Sequence, residues 1–277
     1  YEMAKAIEAA NEQGTELLML YSDEDKCDGE VKYFYEPHFK KDFDKELLLT
    51  NNYICHFTAI KAEVFRELKL RGEYNGAQDF DLVLRVAGKC KENSKLVCHI
   101  PKVLYHWRCH DTSTAANPAS KMYAYEAGKR AVEDCIEKRG LKAHVEHLKH
   151  LGFYRVVYEE DIFTQRPEIG AVGGSILDKH SKIIGGMQDV RGKVIYEGLR
   201  KGFSGYMNRA VLVQEAEVLD IRCMRINPAC EGLVSGYLLE QASKPEEAIQ
   251  ELNQKVCAIL REAGYTLVWD PEWTVKE

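Results

Sequence analysis

Two stretches decide the fold of this chain: Gly76-Ala-Gln-Asp-Phe-Asp-Leu-Val-Leu-Arg85 and His99-Ile-Pro-Lys-Val-Leu-Tyr-His-Trp-Arg108. The first predicts an amphipathic helix whose first turn carries two carboxylates, Asp79 and Asp81. The second predicts a short apolar strand that runs into a His-Trp-Arg loop. Backbone N–H groups and the helix dipole keep a carboxylate ionised at a helix N-terminus. We therefore expect Asp79 to be suited to the role of a general base.

Composition sets the class of protein. The 277 residues carry a net charge of −6 and 45% hydrophobic side chains, which is enough for one large domain or two ordinary ones. The charges are mixed without a basic block, so nucleic acid is not an expected partner. Nine cysteines without paired spacing, and no secretory signal, predict reduced thiols in a cytoplasmic protein. No apolar window is long enough for a transmembrane helix, so membrane association is expected to be peripheral, at the inner face.

Hydrophobic periodicity predicts an α/β fold with a mixed sheet flanked by helices. Helices are expected at residues 3–10, 45–49, 62–68, 80–88, 118–140 and 245–264. Strands are expected at residues 17–21, 31–35, 53–60, 95–100, 103–107, 169–177, 210–219 and 266–269. Asp44 has the position of an N-cap for the second helix.

An internal repeat predicts two units, residues 1–157 and 158–277. Val83-Leu-Arg-Val-Ala-Gly88 matches Ile259-Leu-Arg-Glu-Ala-Gly264. In this register Gln78 falls on Gln254, Asp79 on Lys255 and Asp81 on Cys257. A lysine is protonated near neutral pH and is a poor base unless it is strongly desolvated. The second unit is therefore expected to be catalytically degenerate.

Several stretches of the first unit resemble the acceptor half of inverting family 2 glycosyltransferases of the polysaccharide- or rhamnan-synthesis kind. Besides the stretch from Gly76 to Arg85, they are Leu20-Tyr-Ser-Asp-Glu-Asp-Lys26, Pro37-His-Phe-Lys40, Asn52-Tyr-Ile-Cys-His-Phe-Thr58 and Tyr105-His-Trp-Arg-Cys-His-Asp-Thr-Ser113. The second unit resembles the family more loosely, through residues 166–174, 183–186 and 261–265.

The resemblance implies a GT-A-like fold in two tandem partial units. It also implies a nucleotide-sugar donor, a glycan or lipid-linked glycan acceptor, and Mn²⁺ or Mg²⁺ held by an Asp-x-Asp motif. The chain is expected to begin just after that motif, without the nucleotide-binding half of each unit. Ser22-Asp-Glu-Asp25 contains the same Asp-x-Asp pattern, but it lies where the family has the end of a later strand.

The resemblance assigns the catalytic base to Asp79, for which the alternative is a helix N-cap. Gln78 and Asp81 are expected to hold the acceptor. The alternatives are a solvated amide for Gln78 and, for Asp81, a carboxylate that only complements the helix dipole.

The loop after the base supplies the remaining candidates. His106 is expected to complete a metal shell, Trp107 to stack on a sugar, and Arg108 to neutralise a diphosphate, with His110 beside them. The alternative is a buried tryptophan with surface cations next to it.

Four further residues are candidates for the donor site. Asp23 and Asp25 are expected to contact donor sugar or metal, or else to form a solvated acidic turn. His56 and His38 lie in stretches that resemble loops of the family, which makes both candidates. The alternative is a structural role, which is the more common one for a single histidine.

Two other functions stay open on the sequence. The chain is either a transferase or a non-catalytic glycan-binding or assembly module, and the two differ in whether a nucleotide pocket is present. A phosphate-handling enzyme that uses Asp23 and Asp25 is a weaker third hypothesis, because no matched nucleophile motif accompanies these residues.

Overall fold

The computed structural model describes residues 1–90, 93–109, 122–238 and 246–277. The chain divides into two compact units, Tyr1–Val157 and Tyr158–Glu277. Parallel and antiparallel strands combine with flanking helices, so the expected α/β class is confirmed.

Unit 1 is built around one central strand. Its helices are α1 (Glu2–Glu12), α2 (Lys45–Thr50), α3 (Ala62–Leu68), α4 (Gln78–Lys89) and α5 (Met122–Lys138). Its strands are β1 (Met19–Cys27), β2 (Phe34–His38), β3 (Thr58–Ile60), β4 (Val97–Arg108), β5 (Ala143–His147) and β6 (Tyr154–Tyr158), the last of which ends at the unit boundary. The expected cap is confirmed, because the Leu47 amide donates to Asp44 Oδ1 over 2.8 Å.

The central strand β1 pairs on both edges. On one edge β4 runs parallel to it, with Tyr21 opposite His99. On the other edge β3 pairs antiparallel with its first half and β2 with its second half. The apolar residues at its start are buried, as their sequence predicts, but the burial continues through Ser22, Asp23 and Glu24. Three polar side chains are therefore carried into the interior at the carboxyl end of β1.

The strand expected at residues 53–60 forms only at Thr58–Ile60. Side chains take the carbonyl groups of the preceding residues: Lys40 Nζ donates to those of Ile54 and His56, and Thr58 Oγ1 to that of Cys55. Because these carbonyls are occupied, they are not available to a sheet ladder. The peptide bond between His56 and Phe57 is cis.

Three other expected strands also differ from the structure. The strand expected at 31–35 begins only at Phe34, because Asp28 Oδ1 accepts from the amides of Lys32 and Tyr33 and extends the turn. The two segments expected around Pro101 form one strand. Consecutive residues of β1, Ser22 and Asp23, pair with Ile100 and Val103. Pro101 therefore lies in a bulge, where it is not required to donate a ladder hydrogen bond.

Unit 2 is also built from helices and strands, but the lengths of these elements differ from those of unit 1. Its helices are α6 (Ile162–Gln165), α7 (Glu231–Leu238) and α8 (Glu246–Glu262). Its strands are β7 (Ile169–Leu177), β8 (Ile183–Gly185), β9 (Met187–Gln188), β10 (Gln214–Glu215), β11 (Val218–Leu219), β12 (Met224–Ile226) and β13 (Thr266–Lys276). The single strand expected at 210–219 is instead a 3₁₀ turn and two short strands. The reason is that the side-chain amide of Gln214 donates from Nε2 to the backbone carbonyls of Arg209 and Leu212, which folds the segment back.

The two units share one pattern of strand pairing. In unit 2, β7 is central: β13 runs parallel to it, while β12 pairs antiparallel with its first half and β8 with its second. Gly173 lies opposite both Met224 and Trp269. In unit 1, Tyr21 lies opposite Thr58 and His99 in the corresponding places. These registers allow each position of β1 to be compared with one of β7.

Helix α4 joins the core of unit 1 through an apolar face and a buried ion-pair cluster. Its buried apolar side chains are Phe80, Leu82, Val83, Leu84 and Val86. Beside them the Asp81 carboxylate, which is 1% exposed, accepts from Arg71 and, over 2.7 Å, from Arg85 Nη2. Arg71 also binds Asp134 on α5 over 2.7 Å. Asp81 thus links α4 to α5 through Arg71.

Among the residues that the structure describes, no helix combines the length and the apolar character needed to cross a bilayer.

We expect Asp81→Asn to lower the free energy of unfolding by about 3–5 kcal/mol, because removing one member of a buried ion pair leaves its partners with uncompensated charge. Urea denaturation followed by circular dichroism measures this. The matched control is Glu67→Gln, which breaks the surface pair of Glu67 with Lys89 and is expected to change the free energy by less than about 1 kcal/mol. Equal effects of the two substitutions would contradict a structural role for Asp81.

Candidate functional site

The candidate site lies in unit 1, at the carboxyl end of β1. Glu24, Cys55 and His56 bring one oxygen, one sulfur and one nitrogen within 4.8 Å of one another. Cys55 Sγ is 2.8 Å from His56 Nδ1, and Glu24 Oε2 is 3.7 Å from the same nitrogen. Glu24 is buried, whereas the His56 ring is 41% exposed. The inner end of the site, at Glu24, is therefore buried, and the outer end, at His56, is open to solvent.

A buried ammonium closes the inner end of the site. Lys40 Nζ is fully buried, lies 3.7 Å from Glu24 Oε2 and donates to two backbone carbonyls, that of Ile54 over 2.5 Å and that of His56. Burial lowers the pKa of Lys40, against the attraction of the Glu24 carboxylate. Lys40 thus supplies a fixed positive charge and holds the loop that carries Cys55 and His56.

Asp23 belongs to a hydrogen-bonded group beside this site. Its Oδ1 accepts from the Lys40 amide over 2.8 Å and lies 2.9 Å from His99 Nε2. The other ring nitrogen of His99 lies 2.9 Å from Asp42 Oδ1, and Tyr21 stacks on the ring at 4.9 Å. The His99 ring therefore lies between two carboxylates, one buried and one exposed.

Three aromatic side chains lie together at the mouth of the site, two of them stacked. His56 lies 4.7 Å from the Tyr105 ring at an interplanar angle of 19°, and 5.8 Å from Trp107. Glu24 is opposite Tyr105 in the β1–β4 register. Since alternate residues of a strand point to opposite faces, Tyr105 and Trp107 share the face of Glu24.

The same alternation places His106 and Asp25 on the other face of the sheet. They lie opposite each other in the register, and His106 Nδ1 binds Asp25 Oδ1. The His106 ring also contacts Phe34 at 4.5 Å. The structure thus brings His106 and Asp25 together, but away from Glu24 and His56.

The expected base, Asp79, is exposed in the first turn of α4. The N-cap is Ala77, without a side-chain cap bond, so Asp79 does not occupy the alternative role of N-cap. Its Oδ2 accepts from Asn52 Nδ2 over 3.0 Å, and Asn52 Oδ1 accepts from the Cys55 amide over 3.2 Å. One asparagine therefore ties Asp79 to the loop that carries His56.

The two residues that flank the expected base make structural contacts. Gln78 Oε1 accepts from the Gly76 amide over 2.8 Å, which closes the turn before α4. Asp81 is enclosed by Arg71 and Arg85, as described above, and is not open to a ligand.

The remaining candidates lie at the edges. Arg108 ends β4 with an exposed side chain. His38 Nδ1 is 3.4 Å from Glu24 Oε1. His110 lies outside the described residues.

Sequence reasoning did not single out Glu24, Lys40, Asn52 or Cys55. All four lie in stretches that carry the family resemblance. A run of polar residues in the sequence does not by itself show which of their side chains share a face. One signal was available in the sequence of β4. Tyr105 and Trp107 are two residues apart in a strand and so share a face, which predicts that His106 between them points to the other face.

The carboxylates of β1 do not fit the Mn²⁺ or Mg²⁺ that the resemblance implies. These cations prefer several oxygen ligands, and Mg²⁺ keeps several waters. The Asp23 side chain is 5% exposed and already bound by His99 and Lys40, while Asp25 is bound to His106. Because both carboxylates are engaged by neighbouring groups of the fold, no catalytic step is assigned to such an ion here.

Unit 2 lacks the polar groups of the site. Counting along the strands from the equivalent residues Tyr21 and Gly173, Ser175 takes the place of Asp23 and Ile176 that of Glu24. Trp269 takes the place of His99, and its Nε1 donates to the Gly174 carbonyl over 3.1 Å. The shared strand pattern thus carries the polar cluster only in unit 1, among the residues described.

The environment of Cys55 predicts a slow thiol. Burial raises the pKa of the Cys55 thiol well above its ordinary range, and the charges of Glu24 and Asp79 add to this against an opposing effect of Lys40. Since the thiolate is the reactive form, we expect iodoacetamide at pH 8, with chelator present, to alkylate Cys55 at least about tenfold more slowly in the folded than in the urea-unfolded chain.

Peptide mass spectrometry measures the alkylation rate. We expect Glu24→Gln to accelerate alkylation of Cys55, because it removes a nearby negative charge. Glu16→Gln, which alters an exposed carboxylate paired with Lys61, is the control and should leave the rate unchanged. Equal rates in the folded and unfolded chains would show that the thiol is not shielded in this way.

Two known proteins to which this chain is similar are much longer than it. It is similar to an uncharacterized protein, y4gI, of Sinorhizobium fredii, at 40% identity over 122 residues, which are 43% of this chain and 13% of that protein. It is also similar to the O-antigen biosynthesis protein RfbC of Myxococcus xanthus, at 34% identity over 131 residues, which are 47% of this chain and 10% of that protein. No protein-family model matches the chain. The chain thus spans about a tenth of the length of the curated relatives it matches.

Proposed function

We propose that unit 1 carries the acceptor-side residues of an inverting glycosyltransferase in cell-surface polysaccharide synthesis. The observation that carries the proposal is the placement of Asp79. Its carboxylate is exposed in the first turn of α4, and Asn52 holds one of its oxygens. Within the described part of the chain, no hydrogen bond engages the other oxygen, and the side chain as a whole is exposed, so that a substrate hydroxyl has access to it.

Two sequence observations support the proposal. The motif stretches of unit 1 resemble family 2 glycosyltransferases. The similarity to a protein named for O-antigen biosynthesis supports a role in the synthesis of a surface polysaccharide. The substrates we propose are a nucleotide sugar as donor and a glycan or lipid-linked glycan as acceptor.

In the proposed reaction Asp79 accepts the proton of an acceptor hydroxyl as its oxygen attacks the anomeric carbon. The new glycosidic bond forms while the bond to the nucleoside diphosphate breaks, and its electron pair leaves on the phosphate oxygen. One displacement without a covalent intermediate inverts the anomeric configuration. The helix dipole of α4 favours the ionised form of Asp79, which is the form that accepts the proton.

The other residues of the site are assigned by exposure and chemistry. Trp107, Tyr105 and His56 provide a stacked aromatic surface of the kind that binds the apolar face of a sugar. Arg108 provides an exposed guanidinium, a forked donor suited to the departing diphosphate. Gln78 and Asp81 keep structural roles in the proposal, because both are engaged within the fold.

A specific observation favours the second function, a non-catalytic scaffold, for unit 2 alone. There Ile176 and Trp269 replace the Glu24 and His99 of unit 1, and both are buried apolar side chains. Because Lys255 also stands in the repeat position of Asp79, unit 2 lacks the carboxylate proposed as the base, which favours glycan binding or assembly over transfer.

We expect Asp79→Asn in the full-length protein to reduce sugar transfer by at least about 10²-fold, because a positioned general base contributes about 10²–10⁴-fold. The amide has nearly the same shape but does not take up the proton. Transfer is measured with radiolabelled nucleotide sugar and acceptor, and donor binding is measured in parallel by calorimetry. Donor binding should stay nearly unchanged, because the base acts on the acceptor.

The matched control is Glu63→Gln, which alters another exposed carboxylate in the first turn of a helix, here α3. It should leave the transfer rate unchanged. Full activity of Asp79→Asn would remove Asp79 from the mechanism. Glycan retention without any nucleotide binding by the wild type would favour the binding module instead.

We expect Lys255→Ala to leave transfer within about tenfold of the wild-type rate, equivalent to roughly 1.4 kcal/mol in activation free energy. Lys255 aligns with Asp79 in the repeat, but its ammonium lies over the Tyr237 ring at 4.7 Å. The variant is assayed beside Asp79→Asn, with thermal unfolding as a check of its fold. A larger loss in a folded variant would show that unit 2 takes part in catalysis.

A further inference from the structure

One oxygen of Glu24 is buried without a hydrogen bond. Oε2 has no hydrogen-bond partner in the part of the chain described, and the side chain is only 9% exposed. The nearest charged or titratable groups, the Lys40 ammonium and the His56 ring, each lie 3.7 Å away, beyond the usual hydrogen-bond distance. The buried oxygen therefore keeps the capacity to accept a further ligand.

The atoms that face this oxygen are metal ligands. His56 Nδ1 lies 3.7 Å from Oε2, and Cys55 Sγ lies 2.8 Å from the same nitrogen. Usual zinc–ligand bond lengths and tetrahedral angles place neighbouring ligand atoms roughly 3.3–3.6 Å apart. The oxygen–nitrogen distance is already close to this value. The sulfur needs to move away from the ring by less than about 1 Å, which a small side-chain rotation achieves.

The donor set selects the kind of ion. A thiolate, an imidazole and a carboxylate together favour a borderline-soft cation such as Zn²⁺ over Mg²⁺ or Ca²⁺, which prefer oxygen alone. Three protein ligands leave a fourth position free, as in zinc sites that bind water or substrate. The exposed edge of the His56 ring gives this position access to solvent.

We propose that Glu24, Cys55 and His56 form a binding site for Zn²⁺ or a similar borderline-soft divalent cation, with one coordination position open. The carboxylate and thiolate supply two negative charges to the dication, and the adjacent Lys40 ammonium adds one positive charge to the group. On binding, the thiol of Cys55 loses its proton to solvent, and the hydrogen bond between its sulfur and the ring nitrogen is replaced by two metal bonds. The ring of His56 binds as the neutral tautomer with its proton on Nε2.

Lys40 is the charged neighbour that this site must accommodate. Its ammonium lies 3.7 Å from Glu24 Oε2, but its hydrogen bonds go to the carbonyls of Ile54 and His56. From there it orients the ligating carboxylate, as residues behind a ligand commonly do. Its positive charge lowers the affinity for the cation relative to a site without it.

The inference does not depend on glycosyl transfer. It concerns a cation bound within unit 1, and its test has a spectroscopic readout. Failure of the proposed reaction and failure of the metal site are therefore seen in separate experiments.

The test uses the purified chain, stripped with chelator and titrated with Co²⁺ as a spectroscopic substitute for Zn²⁺. We expect about one equivalent to produce thiolate-to-cobalt charge-transfer absorption, which Zn²⁺ then abolishes by displacement. Cys55→Ser should remove this absorption. Cys98→Ser, at another half-buried cysteine of the same unit, should retain it.

Two further variants keep the test decisive if Cys55→Ser fails to fold. Glu24→Gln and His56→Gln should each weaken Co²⁺ binding by at least about tenfold, the range lost even when a group behind a ligand is removed. Circular dichroism in chelator checks each fold. The proposal is overturned if the wild type shows no charge-transfer absorption. It is also overturned if the absorption survives in Cys55→Ser, or if both glutamine variants bind Co²⁺ as tightly as the wild type.

Discussion

The buried ammonium of Lys40 holds together three segments of unit 1 at the carboxyl end of β1. Its side chain binds the carbonyls on either side of Cys55 and contacts Glu24, while its own amide donates to Asp23. A charge without exposure to water is stable only when nearby oxygens replace its hydration. This requirement draws the 53–57 segment out of the sheet and turns Cys55 and His56 toward Glu24. The candidate site is thus a consequence of how one buried cation is satisfied.

The second constraint is the alternation of side chains along β4. Tyr105 and Trp107 share a face with Glu24, and His106 lies on the other face with Asp25. A loop of consecutive functional residues would have placed all of them in one site. Because the segment is a strand, it serves two surfaces, of which only one includes His56 and, through Asn52, Asp79.

The two units show how one strand pattern supports different interiors. Both have a central strand with a parallel neighbour on one edge and two short antiparallel strands on the other. In unit 1 the end of that strand is polar and needs Lys40 and His99 to compensate its carboxylates. In unit 2 the equivalent positions hold Ile176 and Trp269, which are buried without charge. Hydrophobic burial alone stabilises that interior, so the strand pairing persists without the site.

The sequence by itself determined the α/β class, the central strand at Ile169–Leu177, the helix after Gly76 and the cap at Asp44, because hydrophobic period and capping act over a few neighbouring residues. It also pointed to Asp79 in the first turn of that helix, where the structure leaves its side chain exposed. Only the tertiary structure decided that Asp81 is enclosed by two arginines, that His106 faces away from His56, and that Glu24, Cys55 and His56 meet. These outcomes depend on side chains such as Lys40 and Arg71, which reach across segments far apart in the chain. Local patterns contain no information about which distant carbonyl or carboxylate a buried cation will bind.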